Sequence, residues 1–179
     1  MFRWEDLLFR KLEKDDLYHL ISLKQDSWMT THRITLVNEQ DQDRWFNSLD
    51  QEVHSPNNLV LFATHNEGNN IGIFKIFNID WVSRSAFAAW DVFYPARGKG
   101  FGKKLVTGGS AFCFHLFNLR RLECEILESN YASMKCADAA GFVREGVKRD
   151  AVLKVGKLLN SYVYGVLSHE FLALHPIQN

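Results

Sequence analysis

A glycine-rich turn between a strand and a helix constrains this chain more than any other segment. The turn is Arg97-Gly98-Lys99-Gly100-Phe101-Gly102. It follows AAWDVFY, an apolar run typical of a strand, and precedes KKLVTGGSAFCFHLFN, whose pattern predicts a helix. Glycines permit positive φ angles and close approach of the backbone to a ligand. Because the N–H groups at a helix start attract anions, the turn predicts a phosphate site, with Arg97 and Lys99 adding charge.

Two other phosphate-binding motifs do not fit this turn. The dinucleotide motif G-x-G-x-x-G requires a different glycine spacing and an early position, whereas roughly half of this chain precedes the turn. The nucleotide-triphosphate loop needs Ser or Thr after its lysine, which Lys103 and Lys104 lack. A tight strand-to-helix connection that binds nothing is the alternative interpretation of the glycines.

The turn resembles the acyl-coenzyme A loop of the GNAT acetyltransferase superfamily, Arg/Gln-x-x-Gly-x-Gly/Ala, with Arg97, Gly100 and Gly102 at the fixed positions. A second block, Asn130-Tyr-Ala-Ser133 followed by Gly141-Phe142, resembles the N-x-x-S...G-F segment of the same superfamily. Two blocks in the expected order, joined by a helix and a strand, are more specific than either alone. The resemblance implies acetyl-coenzyme A as the acyl donor and no metal.

The resemblance also implies which residues contact coenzyme A: the end of the strand, the turn and the start of the second block. These residues are Val92, Phe93, Arg97, Gly98, Lys99, Gly100, Phe101, Gly102, Lys103, Asn130 and Ser133.

The composition predicts a single domain over residues 1–179, since 46% of the residues are hydrophobic. The 21 basic and 21 acidic residues cancel, so no overall charge favours nucleic acid or an anionic membrane. Three cysteines without a C-x-x-C pair indicate reduced thiols. The N-terminal segment has acidic residues where a signal peptide is apolar, and no apolar run approaches 18 residues. These features predict a cytoplasmic protein.

The hydrophobic pattern predicts a mixed α/β (α+β) domain in the order β-α-α-β-β-β-α-β-α-β-β. It resembles the GNAT fold: a mostly antiparallel sheet of about seven strands flanked by about four helices. The predicted strands are 7–12, 59–65, 71–79, 86–94, 121–127, 142–153 and 159–167; the predicted helices follow Asp15-Asp16 to about residue 23 and span 39–52, 100–117 and 130–140.

Ser133 is the candidate catalytic acid, because acetyl transfer to an amine requires a proton for the departing thiolate. GNAT enzymes often carry a tyrosine seven residues after the motif asparagine, but Ala137 stands there in this chain. That combination resembles the branch containing the ribosomal-protein N-terminal acetyltransferases. The alternative is that Ser133 only faces the cofactor or caps a helix, and Asn130 can both bind coenzyme A and serve as an N-cap.

The catalytic base is less clearly indicated. The superfamily often places a glutamate early on the strand before the loop, and that position falls near Phe87, which cannot act as a base. Asp91 lies four residues further on, and an acid amid apolar residues needs a partner or a function. A structural carboxylate is the alternative. Other groups that could take the proton are Glu123, Glu125, His32, Glu52 and a chain of waters.

The acceptor side is predicted from a polar segment with aromatic residues, which includes Trp28, Thr31 and His32, and from Trp45 on the next helix. This region resembles the branch that acetylates amino sugars, although the usual aspartate of the final strand is replaced by Asn160. The predicted function is transfer of acetyl to a primary amine of a small molecule such as an amino sugar. Acetylation of a protein N-terminus and a noncatalytic acyl-coenzyme A-binding module are the alternatives. Residues 168–179 could pair with a second copy in a homodimer.

Overall fold

The computed structural model describes residues 1–26, 38–49 and 56–176. In this part of the chain, eight strands form one sheet in the order β1-β2-β3-β4-β5-β6-β8-β7. The strands are β1 (Phe2–Trp4), β2 (Leu7–Lys11), β3 (Leu59–His65), β4 (Asn70–Asp80), β5 (Ser85–Val92), β6 (Arg121–Leu127), β7 (Val143–Lys154) and β8 (Lys157–Leu167). The helices are α1 (Leu17–Asp26), α2 (Glu39–Asn47), α3 (Phe101–His115), α4 (Tyr131–Ala139) and α5 (Ser168–Leu174).

The strand pairing divides the sheet into two antiparallel halves. Strands β1 to β5 pair antiparallel with their neighbours, and so do β6, β8 and β7. The two halves meet where β5 pairs with β6 in parallel, a pairing confined to residues 85–87 and 121–123. A parallel pair requires a crossover, and α3 supplies it.

Each face of the sheet is covered by different helices. Helix α3 packs against β1, β2, β4 and β5, where Gly108 and Gly109 let the rings of Phe9 and Phe74 approach; an added Cβ would come within 2.5 and 2.3 Å of them. On the other face, α1 and α2 cover Phe62, Ile73 and other apolar residues of β2 to β4. The sheet is therefore the middle layer of the domain, with helices packed on both of its faces.

Most predicted elements are confirmed, including the predicted β3 and β6, and the α+β fold is as expected. Helix α2 begins after Asn38, whose Oδ1 accepts the Asp41 N–H at 2.9 Å as an N-cap. The predicted start of α1 is wrong in detail. Residues Lys14–Asp16 form a short 3-10 helix, and Asp16 instead accepts the Glu13 N–H at 2.8 Å and pairs with Arg10 at 2.6 Å.

Two elements were not predicted. Strand β1 is only three residues long and turns sharply into β2 at Glu5, which has a φ of 51°. The tail assigned above to a possible second copy forms α5 over Ser168–Leu174, and Phe171 is buried in the core of its own chain. All three cysteines are free thiols, with Cys113 and Cys124 buried.

Candidate active site

A wedge-shaped opening separates β5 from β6. The two strands pair over three residues each, yet β5 continues to Val92 and β6 to Leu127 without further pairing between them. Because the strands are parallel, both carboxyl ends lie at the wide end of the wedge, where β5 leads towards α3 and β6 towards α4. Ligands of α/β sheets bind in such a crevice outside the carboxyl ends of the strands.

The glycine turn lies at the wide end of this opening. Gly98 and Gly100 have φ angles of 74° and 86°, and an added Cβ at either would meet nothing within 4 Å. Gly100 is the N-cap of α3, so the helix begins without a capping side chain. The Lys103 N–H turns back to the Gly100 carbonyl at 3.2 Å. The first N–H groups of a helix have no acceptor inside it, which leaves those of Phe101 and Gly102 for an anion.

Three exposed cations surround the turn: Arg97, Lys99 and Lys103. Arg97 donates its Nε–H to the Val92 carbonyl at 2.9 Å, which holds the guanidinium at the end of β5. Lys104 is committed elsewhere, because its Nζ donates to Asp6 Oδ2 at 2.5 Å. That hydrogen bond raises the pKa of Lys104 above its ordinary value.

Helix α4 brings a second helix N-terminus to the opening. Asn130 is its N-cap, and Oδ1 of that side chain accepts the Ser133 N–H at 3.1 Å. Ser133 lies one turn before Cys136 on the same side of the helix. Cys136 packs against the start of α3, where a Cβ on Gly102 would lie 2.9 Å from its Sγ. Ser133 is partly buried on this inward side.

Asp91 lies on the opposite face of the sheet from α3. Its Oδ2 accepts a hydrogen bond from Lys75 Nζ at 2.6 Å, and the carboxylate is 16% exposed. Strand register places Phe87 beside Glu123, so Asp91 and Glu125 share that face on the two walls of the opening. The structure therefore does not bring Asp91 and Ser133 together: they flank the opening from opposite faces.

The face that carries Asp91 is rich in carboxylates held by cations. Arg121 donates to Glu123 at 2.8 Å and to Glu145 at 2.9 Å, which lowers the pKa of Glu145. Lys148 donates to Glu125. This face of the opening is thus charged, and its side chains are fixed by their neighbours.

The sequence matches the family model described as an acetyltransferase (GNAT) domain over residues 6–143, more than half of the chain. The chain belongs to the GNAT acetyltransferase family. It is therefore an acyltransferase, an N-acetyltransferase with acetyl-coenzyme A as the acyl donor.

Known proteins similar to this acetyltransferase include two bacterial N-acetyltransferases and a solved structure. It is 27% identical to the uncharacterized N-acetyltransferase p20 of Bacillus licheniformis over 93% of this chain and 96% of that protein. It is 22% identical to the spermidine N(1)-acetyltransferase of Vibrio cholerae over 78% of this chain and 80% of that protein. A crystal structure of spermidine N-acetyltransferase from Vibrio cholerae, in complex with CoA and spermine, superposes with a TM-score of 0.85 at 20% identity, covering 93% and 98% of the two chains. This last similarity concerns the fold.

The residues of the acetyltransferase fit coenzyme A in three respects. The turn is open above Gly98 and Gly100, and exposed cations stand beside it. In addition, the Trp90 Nε1 atom on β5 is buried without a hydrogen-bond partner. In the described residues no cluster of three potential metal ligands occurs, and no helix there is long and apolar enough to cross a bilayer.

Some predicted site residues of the acetyltransferase have other surroundings. Phe93 is held by its own chain: its ring packs on Phe62 and His19, its N–H donates to the Ile71 carbonyl at 2.9 Å and its carbonyl accepts from the Ala96 N–H. Trp45 packs against the apolar residues under α1 and α2. The remaining predicted acceptor residues, Trp28, Thr31 and His32, lie outside the described part of the chain.

Sequence reasoning missed two features of the acetyltransferase site. Trp90 lies within the apolar run of β5 and was not predicted as a site residue. Ala86, Ala88 and Trp90 share one face of the strand, and Trp90 is the large side chain among them. The pair of Lys104 and Asp6 joins residues 98 positions apart, and no local pattern indicates it.

Proposed function

We propose that this N-acetyltransferase transfers the acetyl group to a primary amine of a small molecule, and that this amine is a polyamine. The observation that carries the proposal is the opening between β5 and β6, which connects the glycine turn and α4 on one side to a carboxylate-lined face on the other. Donor and acceptor then approach the same gap from opposite faces of the sheet.

Each group of the donor side has a separate task. Acetyl-coenzyme A, when bound, supplies a thioester that an amine can attack directly. The N–H groups of Phe101 and Gly102, with Lys99 and Lys103, hold the diphosphate. Ser133 Oγ–H gives a proton to the departing sulfur, since its position on the inward side of α4 directs the hydroxyl towards the opening.

Asp91 acts on the acceptor side. One of its oxygens is bonded to Lys75, and the other is placed to hold the N–H of an amine at the gap. The ion pair keeps the carboxylate oriented, and Lys75 is a positioning residue for it. Because the amine must be neutral when it attacks, a carboxylate near the gap also assists removal of its proton.

The charge of this face supports a polyamine more than an amino sugar. In the ion pairs that the described residues form on this face, four carboxylates, of Asp91, Glu123, Glu125 and Glu145, face three cations, of Lys75, Arg121 and Lys148, so these pairs carry one excess negative charge. A polycation gains from such a surface, whereas a neutral sugar ring does not. The relative from Vibrio cholerae is named a spermidine N(1)-acetyltransferase, which agrees with this choice.

The experiment is an acceptor screen in which the thiol released from acetyl-coenzyme A is measured. Spermidine, a nucleotide-linked amino sugar and a peptide with a free N-terminus are compared at equal concentration. We expect spermidine to have the highest kcat/KM, and Asp91→Asn to lower it with little change in coenzyme A affinity. The exposed Asp138→Asn is the control. A preference for the peptide or the sugar overturns the polyamine proposal. Tight binding of coenzyme A without thiol release for any of the amines favours the noncatalytic module.

A further inference from the structure

Trp90 lies on β5 beside the opening, on the face that α3 covers. It pairs in register with Phe74 of β4, and it is three residues beyond Phe87, the last residue of β5 that pairs with β6. At the level of Trp90 the neighbouring strand has therefore moved away. Its side chain stands at the edge of the gap instead of between two strands.

The ring of Trp90 closes the helical side of the opening. It stacks parallel to Phe74, with 6.3 Å between centroids and an interplanar angle of 8°. On its other side it contacts Phe142, with 6.1 Å between ring centroids, and Phe142 lies three residues after the end of α4, the helix that carries Ser133. The indole thus spans from the β4–β5 half of the sheet to the segment that ends α4.

The indole N–H of Trp90 has no acceptor in this chain. Its Nε1 atom is buried and makes no hydrogen bond, although buried donors in native proteins nearly always have a partner. Phe74 and Phe142 fix the ring, so the N–H cannot turn towards solvent without breaking both contacts. An unpaired donor held rigidly beside a ligand-binding gap indicates an acceptor that the ligand supplies.

We infer that the Trp90 indole N–H donates a hydrogen bond to a carbonyl oxygen of the bound acyl carrier. The inference rests on the proposed use of the opening by acetyl-coenzyme A. A neutral N–H donor matches a neutral carbonyl, and the carrier arm offers amide carbonyls as well as the thioester carbonyl. Trp90 is thereby a binding residue for the donor in addition to the glycine turn.

The test is Trp90→Phe, which removes the N–H and keeps an aromatic ring between Phe74 and Phe142. Calorimetric titration with acetyl-coenzyme A in the absence of amine should show a dissociation constant about fivefold higher than that of the wild type. The melting temperature of the free protein should stay the same or rise, because an unpaired buried donor is removed. A merely structural tryptophan gives the reverse: lower stability and unchanged affinity for both coenzyme A and acetyl-coenzyme A.

Trp4→Phe is the matched control. Trp4 Nε1 is also buried without a partner, but its ring packs on Phe171 and His115 on the far side of the core. We expect Trp4→Phe to have the same effect on the melting temperature as Trp90→Phe and no effect on the affinity for coenzyme A or acetyl-coenzyme A. A second measurement is the indole ¹H–¹⁵N signal of Trp90, assigned with the variant, which should shift on addition of acetyl-coenzyme A while that of Trp4 does not.

Titration with acetyl-coenzyme A in the absence of amine distinguishes the two carbonyl sources. If Trp90→Phe weakens the binding of coenzyme A and acetyl-coenzyme A equally, the acceptor is an amide carbonyl of the arm. If it weakens the binding of acetyl-coenzyme A alone, the acceptor is the thioester carbonyl. Equal affinities of wild type and Trp90→Phe for both ligands, with an unmoved indole signal, overturn the inference and leave the proposed function standing. If the wild type binds neither ligand, both are overturned.

Discussion

At the scale of a single residue, Ser133 is the proposed catalytic acid. The position at which GNAT enzymes often carry a tyrosine is Ala137, which is fully buried and has no proton to give. Tyr131, the other hydroxyl-bearing residue of α4, is 71% exposed. Ser133 is therefore the hydroxyl-bearing residue on the inward side of this helix, and we assign the proposed acid role to it.

Ser133→Ala should lower kcat at least about 10-fold, because a positioned general acid contributes that much or more. The dissociation constant of coenzyme A should change much less, since the Ser133 N–H still bonds to Asn130. Steady-state kinetics and calorimetry measure the two quantities separately. The exposed Ser129→Ala is the control. An unchanged kcat removes the proposed acid role.

Single residues differ in how far the sequence predicts their surroundings. Asn130 as an N-cap was predictable because capping is a local interaction with a residue three positions on. The Lys75 partner of Asp91 was not, because it lies 16 residues away on another strand and depends on the register of β4 and β5. The burial of Phe93 depends on α1 in the same way, through its contact with His19.

At the scale of an element, the glycine turn is the proposed binding site of the diphosphate. A β-carbon at Gly100 meets no other atom, but its φ of 86° lies in the left-handed region, so a substitution strains the backbone. Gly100→Ala should raise the dissociation constant of coenzyme A about 10-fold or more, because the strained turn no longer presents the first N–H groups of α3 to the diphosphate.

Gly68→Ala is the control for that change. Gly68 also has a φ of 86° with nothing within 4 Å of an added Cβ, and it lies in the hairpin between β3 and β4. Both variants should lose about 1–2 kcal/mol of stability, but only Gly100→Ala should weaken coenzyme A. Equal coenzyme A affinity of the two variants contradicts the role of the turn.

The β1–β2 turn is tied to α3 by Asp6, and this gives a dependence on pH. The hydrogen bond from Lys104 lowers the pKa of Asp6 below its ordinary value of 3.8. The resulting stabilisation is complete above that value and is lost as the pH falls through the lowered pKa.

Asp6→Asn should therefore lower the free energy of unfolding by about 1 kcal/mol at pH 7. This difference from the wild type should disappear below about pH 4. Urea unfolding at several pH values measures it. Asp15 is an exposed carboxylate of the same region, and for Asp15→Asn the difference in free energy of unfolding from the wild type should not change with pH in this way. A gap that stays constant down to pH 3 contradicts the ion pair as its source.

Elements with a strong local signal were predictable and the others were not. A continuous apolar run predicted β3 and alternating residues predicted β6, both with their observed bounds. Strand β1 has three residues, which is too few to show a periodic pattern. It forms because it pairs with β2 and packs against α3. Helix α5 follows β8 without a break and was missed because no turn residue separates them.

At the scale of the whole molecule, the active site results from the way the two halves of the sheet meet. The opening forms because β5 and β6 pair over three residues and then diverge. No pattern within either strand indicates this divergence, since both have the hydrophobic character of paired strands. The family resemblance supplied the fold, whereas the gap and the charged face beyond it required the structure.

Binding of coenzyme A should stabilise the entire domain, because the proposed site is formed by α3, α4 and β5 together and exists only in the folded chain. At 100 times the dissociation constant the gain is about 2.7 kcal/mol, which corresponds to roughly 5–10 °C in melting temperature for a chain of this size. Thermal scans over a concentration series measure it. No shift at saturating coenzyme A contradicts a folded-state site.

The most direct measurement is a crystal structure of the protein with coenzyme A bound. The account predicts the diphosphate against the N–H groups at the start of α3, with the carrier arm running into the gap between β5 and β6 towards Ser133. Coenzyme A bound at another surface, with the glycine turn empty, would contradict the account.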